Sequence, residues 1–253
     1  IIKNEKIDGY LVPKNDQFFE EYTSDNNDRL YYISNFSGSH GYALILKDRN
    51  YLFVDGRYTD QAIKQSGKIF KIITIPNKMP KDILKKRKLL IGYDPKLFTK
   101  KKLKIFFNKC NCRLKPLNTN LIDIIWKRKN NLNQKKFFTL PRDSVDTKYE
   151  IKINKIVSNL KKKNADFQFI TACENSSWLL NIRGHDVHFS PIPHCYVLIN
   201  KNKNIKLFCN LKKLSLSFKK RFKEVQFIDI NKVDQILLKI FNKRFIIDES
   251  TCS

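Results

Sequence analysis

Apolar runs of four to six residues, closed by glycine, proline or polar clusters, alternate along this chain with stretches whose apolar residues recur every three or four positions. The first kind reads as strands and the second as helices. Strands are expected at Ile7–Val12, Phe70–Ile75, Leu89–Tyr93 and Arg113–Leu117. A hairpin is expected from Tyr42–Lys47 and Tyr51–Val54, joined by the polar turn Asp48-Arg49-Asn50. Short helical pieces are expected at Phe18–Tyr22, Arg29–Ile33 and Leu121–Trp126, and longer helices at Thr59–Gln65 and Thr99–Asn108, where Thr99 is a natural cap.

The basic stretch Lys127–Asp146 breaks this pattern. Beyond it, Ile151, Ile153, Ile156, Val157 and Leu160 mark a helix over Lys148–Lys163. Asp166–Ile170 is a strand, and Tyr196–Ile199 and Ile205–Phe208 form a second hairpin about Asn200–Asn204. Helices at Lys213–Lys223 and Lys232–Asn242 alternate with strands at Val225–Ile228 and Phe245–Asp248.

The two halves read as copies. Asp8–Val12 resembles Asp166–Ile170, and Tyr32, Asn35 and Gly38 answer to Trp178, Asn181 and Gly184 at a constant offset of 146. Seven extra residues are expected before the second hairpin. Strand, aromatic, Asn-x-x-Gly and hairpin in one order twice indicate duplication. The expected fold is therefore α/β: two similar domains, 1–130 and 148–253, each a mixed sheet flanked by helices, with a linker at 131–147.

Composition narrows the picture. Hydrophobic residues make up 42% of 253, enough for real cores, and the net charge is +26. A polyanion ligand is one reading of that charge. However, Lys far outnumbers Arg, is spread over the whole chain and is not interleaved with regular aromatics, so no nucleic-acid partner is expected. No apolar run nears the ~20 residues of a membrane span, and no secretory signal is read, so no membrane partner is expected. The six cysteines form no C-x-x-C pair and read as reduced thiols of a cytoplasmic protein. Cys110 and Cys112, two apart, would share one face of a strand as small buried hydrophobes. Met79 is the lone methionine, so residues are expected to be missing before Ile1.

Candidate chemistry gathers in two loops. Asp55-Gly56-Arg57-Tyr58 offers a guanidinium fork suited to a carboxylate; alternatively Asp55 caps the next helix and Arg57 pairs with a nearby acid. His185, Asp186, His188 and His194 lie within ten residues and could hold zinc, but their spacing fits neither an H-E-x-x-H helix nor a zinc-finger pair, and Pro191 and Pro193 exclude a helix; the alternative is a solvated or substrate-facing loop with incidental histidines. Arg183 and Asp186 admit the same pair of readings as Arg57 and Asp55.

Taken together, Asp8-Gly9-Tyr10-Leu11-Val12-Pro13, Glu20-Glu21-Tyr22, Asn35-Phe36-Ser37-Gly38-Ser39 and Val54-Asp55-Gly56-Arg57-Tyr58 resemble the N-terminal domain of Xaa-Pro aminopeptidases (aminopeptidase P) of the creatinase/prolidase superfamily. Trp178–Gly184, Asp186-Val187 and Ser190-Pro191 resemble the second domain of the same enzymes. Two departures stand out: His185 replaces a usual small residue, and Pro193-His194 replaces usual aromatics.

The resemblance implies two creatinase N-terminal-like domains from a longer metallopeptidase that removes an N-terminal residue preceding proline. It implies two divalent metal ions, manganese in the first instance, held on a C-terminal pita-bread domain that this sequence lacks. No catalytic residue, metal ligand or cofactor is expected in the fragment. Asp55, Arg57, Tyr58, Arg183, His185 and Asp186 are the implied substrate-access or dimer contacts, and the parent is implied to be a homodimer acting on peptides with proline second. The rivals are a non-catalytic binding module of the superfamily, a basic nucleic-acid binder, and a prolidase or creatinase.

Overall fold

The computed structural model describes residues 2–85, 87–128 and 134–253. The expected domain end at residue 130 and the first three linker residues, 131–133, lie outside the described residues. Contacts fall into two compact units, Ile1–Asn131 and Leu132–Cys252.

In the first unit, β1 (Gly9–Pro13) leads through α1 (Arg29–Ser34) to the hairpin β2 (Gly41–Leu46) and β3 (Asn50–Asp55). The chain continues through α2 (Thr59–Ser66), β4 (Lys71–Ile75), α3 (Pro80–Leu84), β5 (Leu90–Tyr93), α4 (Lys100–Phe107), β6 (Arg113–Pro116) and α5 (Leu121–Ile125). The sheet order is β4-β3-β2-β1-β5-β6. Only β2 runs against its neighbours; the other five strands are parallel. Both faces are covered. Leu11, Tyr42, Leu44, Phe53 and Ile91 pack into one core, and Tyr10, Val12, Ala43, Leu52 and Val54 into another. Such strands read as continuous apolar runs rather than alternating ones.

In the second unit, β7 (Phe138–Thr139) and α6 (Tyr149–Lys162) precede β8 (Phe167–Ile170), α7 (Cys173–Leu180) and β9 (Ile182–Arg183). The hairpin β10 (Cys195–Asn200) and β11 (Ile205–Cys209), α8 (Leu216–Arg221), β12 (Val225–Asp229), α9 (Val233–Leu237) and β13 (Phe245–Ile246) complete it. Its sheet runs β12-β11-β10-β8-β13, matching β4-β3-β2-β1-β5 strand for strand in order and direction. Within the 134–147 stretch, Phe137 is buried in the core of this unit and β7 pairs with β9.

The duplication reaches single residues. Asn35 and Asn181 end α1 and α7 in the left-handed conformation, at φ 61° and 55°. Asparagine tolerates this geometry better than other residues that carry a Cβ. A Cβ on Gly38 would meet the Phe36 ring at 2.3 Å, and one on Gly184 would meet Pro193 Cα at 2.7 Å, so both positions exclude any larger residue. The offset of 146 rises to 154 at the hairpin, where Ile199 answers to Ile45. Eight residues, rather than the expected seven, are thus added between Gly184 and Cys195.

Other expectations need correction. Phe18–Tyr22 is a turn, not a helix: the buried Asp16 carboxylate accepts from Phe18 N at 2.9 Å and Phe19 adopts φ 58°. The helix expected at 213–223 is broken because the Ser215 hydroxyl accepts from Phe218 N and starts α8 afresh. The helix expected over 232–242 is confined to α9. Helices α3 and α7 had no periodic apolar signal.

Besides Asn200 in the second hairpin turn, the Asp or Asn at or just after a strand end accepts from the backbone N–H two residues on at Asp55, Asp94, Asn210 and Asp229. Each of the last four starts a single 3-10 turn and redirects the chain off the sheet.

Helix α1 is fastened to α5 by Arg29, which donates to both Asp123 oxygens at 2.7 and 2.8 Å. Burial alone would raise the Asp123 pKa, but hydrogen bonds from Arg29 and Arg128 outweigh it and hold the carboxyl below its ordinary value.

Asn35→Gly is expected to leave the melting temperature of the chain unchanged or higher, since only backbone geometry is at stake. Asn181→Gly lowers it by losing the bonds from Lys152 Nζ at 2.6 Å and to Thr147 O at 3.0 Å, a cost of about 1–3 kcal/mol. Because the folded Asp123 pKa is depressed, its contribution is present above the unfolded value near ~3.9 and lost as pH falls through the folded value. Melting temperatures recorded from pH 7 to 3 should show a steeper acid decline for the wild type than for Asp123→Asn.

Candidate functional site

Because β1 and β3 are parallel, their carboxyl ends emerge on one edge of the first sheet, together with the start of β2. That edge carries Ser39, His40, Asp55, Arg57 and Tyr58. Asp55 accepts from Arg57 N at 3.0 Å and from Arg57 Nε at 2.9 Å. The guanidinium also lies 5.6 Å over the Tyr58 ring, and its side chain is 74% exposed. One face of the arginine is thus held while its remaining donors point to solvent. Tyr58 is fixed by a 2.9 Å bond between its hydroxyl and Ser39 Oγ and by edge contact with Phe36. The ion pair holds the Asp55 carboxyl below its usual range.

Sequence reasoning missed a second group beside it. Asn15 donates from Nδ2 to Asp16 O and Leu97 O, both at 3.0 Å, which leaves Oδ1 to accept from Lys102 Nζ at 3.3 Å. Burial pushes the Lys102 amine down. Burial and the Lys102 charge also push His40 down, against the pull of Asp55. Nothing in the sequence marks Lys102, which sits in a run of three lysines.

In the second unit the three expected residues face different partners. Arg183 Nη1 donates to Ile182 O at 2.9 Å and Ser177 O at 3.4 Å. His185 stacks on Phe138 with ring centroids 5.2 Å apart. Asp186 accepts from His194 N at 2.9 Å and forms an ion pair with Lys213, not with Arg183. Both partners are nearly buried, at 4% and 10% side-chain exposure. Asp186 thus pins both ends of the added loop to the body of the unit, while Phe189 at its tip is 91% exposed.

Lys152 is a further buried lysine. Its amine donates to Trp178 O at 2.5 Å and Asn181 Oδ1 at 2.6 Å and lies 4.1 Å from the Trp178 ring centroid, closing the carboxyl end of α7. Burial and the nearby Arg183 charge lower its pKa.

Among the described residues no three His, Cys, Asp or Glu side chains converge as metal ligands. Nor is any helix among them long and apolar enough to cross a membrane.

Comparison with known proteins gives one consistent result. Residues 1–124 and 128–253 each match a family model described as Creatinase/Prolidase N-terminal domain. The Xaa-Pro aminopeptidase ApepP of Drosophila melanogaster is 30% identical over 230 residues, covering 86% of this chain and 37% of the relative. A probable Xaa-Pro aminopeptidase P of Coprinopsis cinerea is 30% identical over 225 residues, covering 85% and 36%. The X-prolyl aminopeptidase of Caenorhabditis elegans, described as a cytosolic enzyme with a di-nuclear active site, superposes with a TM-score of 0.85. It is 26% identical, and the match covers 91% of this chain and 39% of that one. The chain therefore spans little more than a third of the relatives it matches.

Replacing Lys213 by Met should destabilise the second unit by about 3–5 kcal/mol, because it breaks a buried ion pair by removing one partner. Arg57→Ala should leave the melt nearly unchanged, as expected of an exposed pair. Urea melts of the two variants test the contrast; equal losses would count against it.

Proposed function

This chain belongs to the creatinase/prolidase N-terminal domain family in both of its halves, and we propose that it is the N-terminal, two-domain part of a metal-dependent Xaa-Pro aminopeptidase. The carrying observation is that two such domains stand in tandem and match, at 30% identity, the corresponding third of Xaa-Pro aminopeptidases. Prolidases and creatinases, expected to have one such domain, fit the duplication less well.

In this reading the parent enzyme is a cytoplasmic homodimer that removes the residue ahead of proline from a peptide's N-terminus. Its two divalent ions, manganese in the first instance, belong to a further domain. The 253 residues are inactive alone. They frame the mouth of the active site, restrict entry to free peptide ends and support the dimer. Arg57, held on one side by Asp55 and open on the other, is suited to a peptide carboxylate or a subunit contact. Tyr58 sets the position of that edge. In the second domain Arg183, His185 and Asp186 shape the added loop rather than form one pocket, so their contribution is to access.

The test has two arms. The 253-residue chain should release no amino acid from an Xaa-Pro peptide in the presence of manganese, whereas the product of the full reading frame should do so and be silenced by a chelator. Turnover by the fragment overturns the reading. In the full product, Arg57→Ala should raise KM or weaken dimerisation without shifting the melt; a melt lowered as far as by a core truncation would assign Arg57 to the fold.

A further inference from the structure

Cys110 and Cys112 do not lie on a strand. They flank a bend at Asn111 that joins α4 to β6, and both are half-buried rather than enclosed. The bend folds the two side chains together. Cys112 N donates to Cys110 Sγ at 3.3 Å, and Cys112 Sγ donates to Arg87 O at 3.5 Å. Asn111 lines an open pocket of about 340 Å³, together with Asp8, Lys88, Leu89, Leu90 and Arg113. A paired dithiol therefore sits beside a cleft bearing two cations and one carboxylate. Of the other four cysteines, Cys173, Cys195 and Cys209 are fully buried, and Cys252 is half-buried with no cysteine near it in sequence.

We propose that Cys110 and Cys112 are a thiol–disulfide exchange site whose co-substrate is an anionic low-molecular-weight disulfide of the glutathione class. The Cys110 thiolate attacks one sulfur of the disulfide, forming a mixed disulfide and expelling one thiolate. Burial pushes the Cys112 thiol up to about 12, so the thiolate expelled first takes the Cys112 proton as Cys112 attacks the Cys110 sulfur, closing the Cys110–Cys112 bond and expelling the second thiolate. Two electrons pass to the co-substrate, which leaves as two thiols. The order follows from contact geometry: Cys112 is the thiol tied to the Arg87 carbonyl, which favours Cys110 as the first attacker. Lys88 and Arg113 draw the carboxylates of the co-substrate to the bend. A bond across one intervening residue closes a short loop, and bonds of this class are readily reversed by a reductant.

The test is peptide mapping of the complete chain after exposure to glutathione disulfide. Cleavage after Lys109 and Arg113 releases Cys110–Arg113, a peptide that carries these two cysteines and no other. The expected product has lost two hydrogens, resists alkylation, and regains both thiols with dithiothreitol. In Cys112→Ser the same treatment should leave one glutathione on Cys110. Two freely alkylated thiols in the wild type, or stable glutathione adducts without an internal bond, overturn the proposal. Failure of Cys112→Ser to trap glutathione on Cys110 overturns the order of attack. Oxidation of Cys173 or Cys209 at an equal rate would show general unfolding in place of a site.

Discussion

One reversed strand governs the architecture of each unit. With β2 antiparallel between β1 and β3, a short turn does the work that a parallel pair would assign to a crossover helix. The strands on either side then run the same way, and their carboxyl ends open on a common edge. Asp55 ends one of them, and the Ser39–His40 turn enters beside it. The same reversal in β10 sends β8 and β11 to a common edge in the second unit. Because both faces of each sheet are covered, residues with polar work to do are confined to such edges and loops.

Much of this was legible in the chain. Strands buried on both faces gave unbroken apolar runs, and Asn35 and Asn181 were identifiable as counterparts because a left-handed helix end admits few residue types. Helix α7 was not legible: Cys173-Glu174-Asn175-Ser176-Ser177-Trp178 is short, polar and serine-rich, and it is helical because Leu179 and Leu180 must reach the core. Phe18–Tyr22 failed for the opposite reason, since a single buried carboxylate at Asp16 overrode local preference.

The candidate residues were less legible than the fold. Lysine is so abundant that the few that matter are hidden among the many that do not. Lys102, Lys152 and Lys213 differ from their neighbours in nothing but burial and partner. The Asp186–Lys213 pair spans 27 residues and follows no helical or strand period. Asp55 and Arg57, two residues apart, were found because their link is local. Cys110 and Cys112 were close in sequence too, but a two-residue spacing places side chains together only if the backbone is known, and a bend gave a different outcome from a strand.

The two tryptophans fall one to a unit. Trp126 is stacked between Tyr32, 4.9 Å away, and the Arg128 guanidinium at 4.5 Å, whereas Trp178 is 62% exposed above the Lys152 amine. Each indole therefore senses the carboxyl-side surroundings of its own copy of the duplicated helix. A chain carrying Trp126→Phe or Trp178→Phe would keep a single indole, and fluorescence excited at the red edge of its absorption, where the ten tyrosines do not absorb, would follow the loosening of one copy alone.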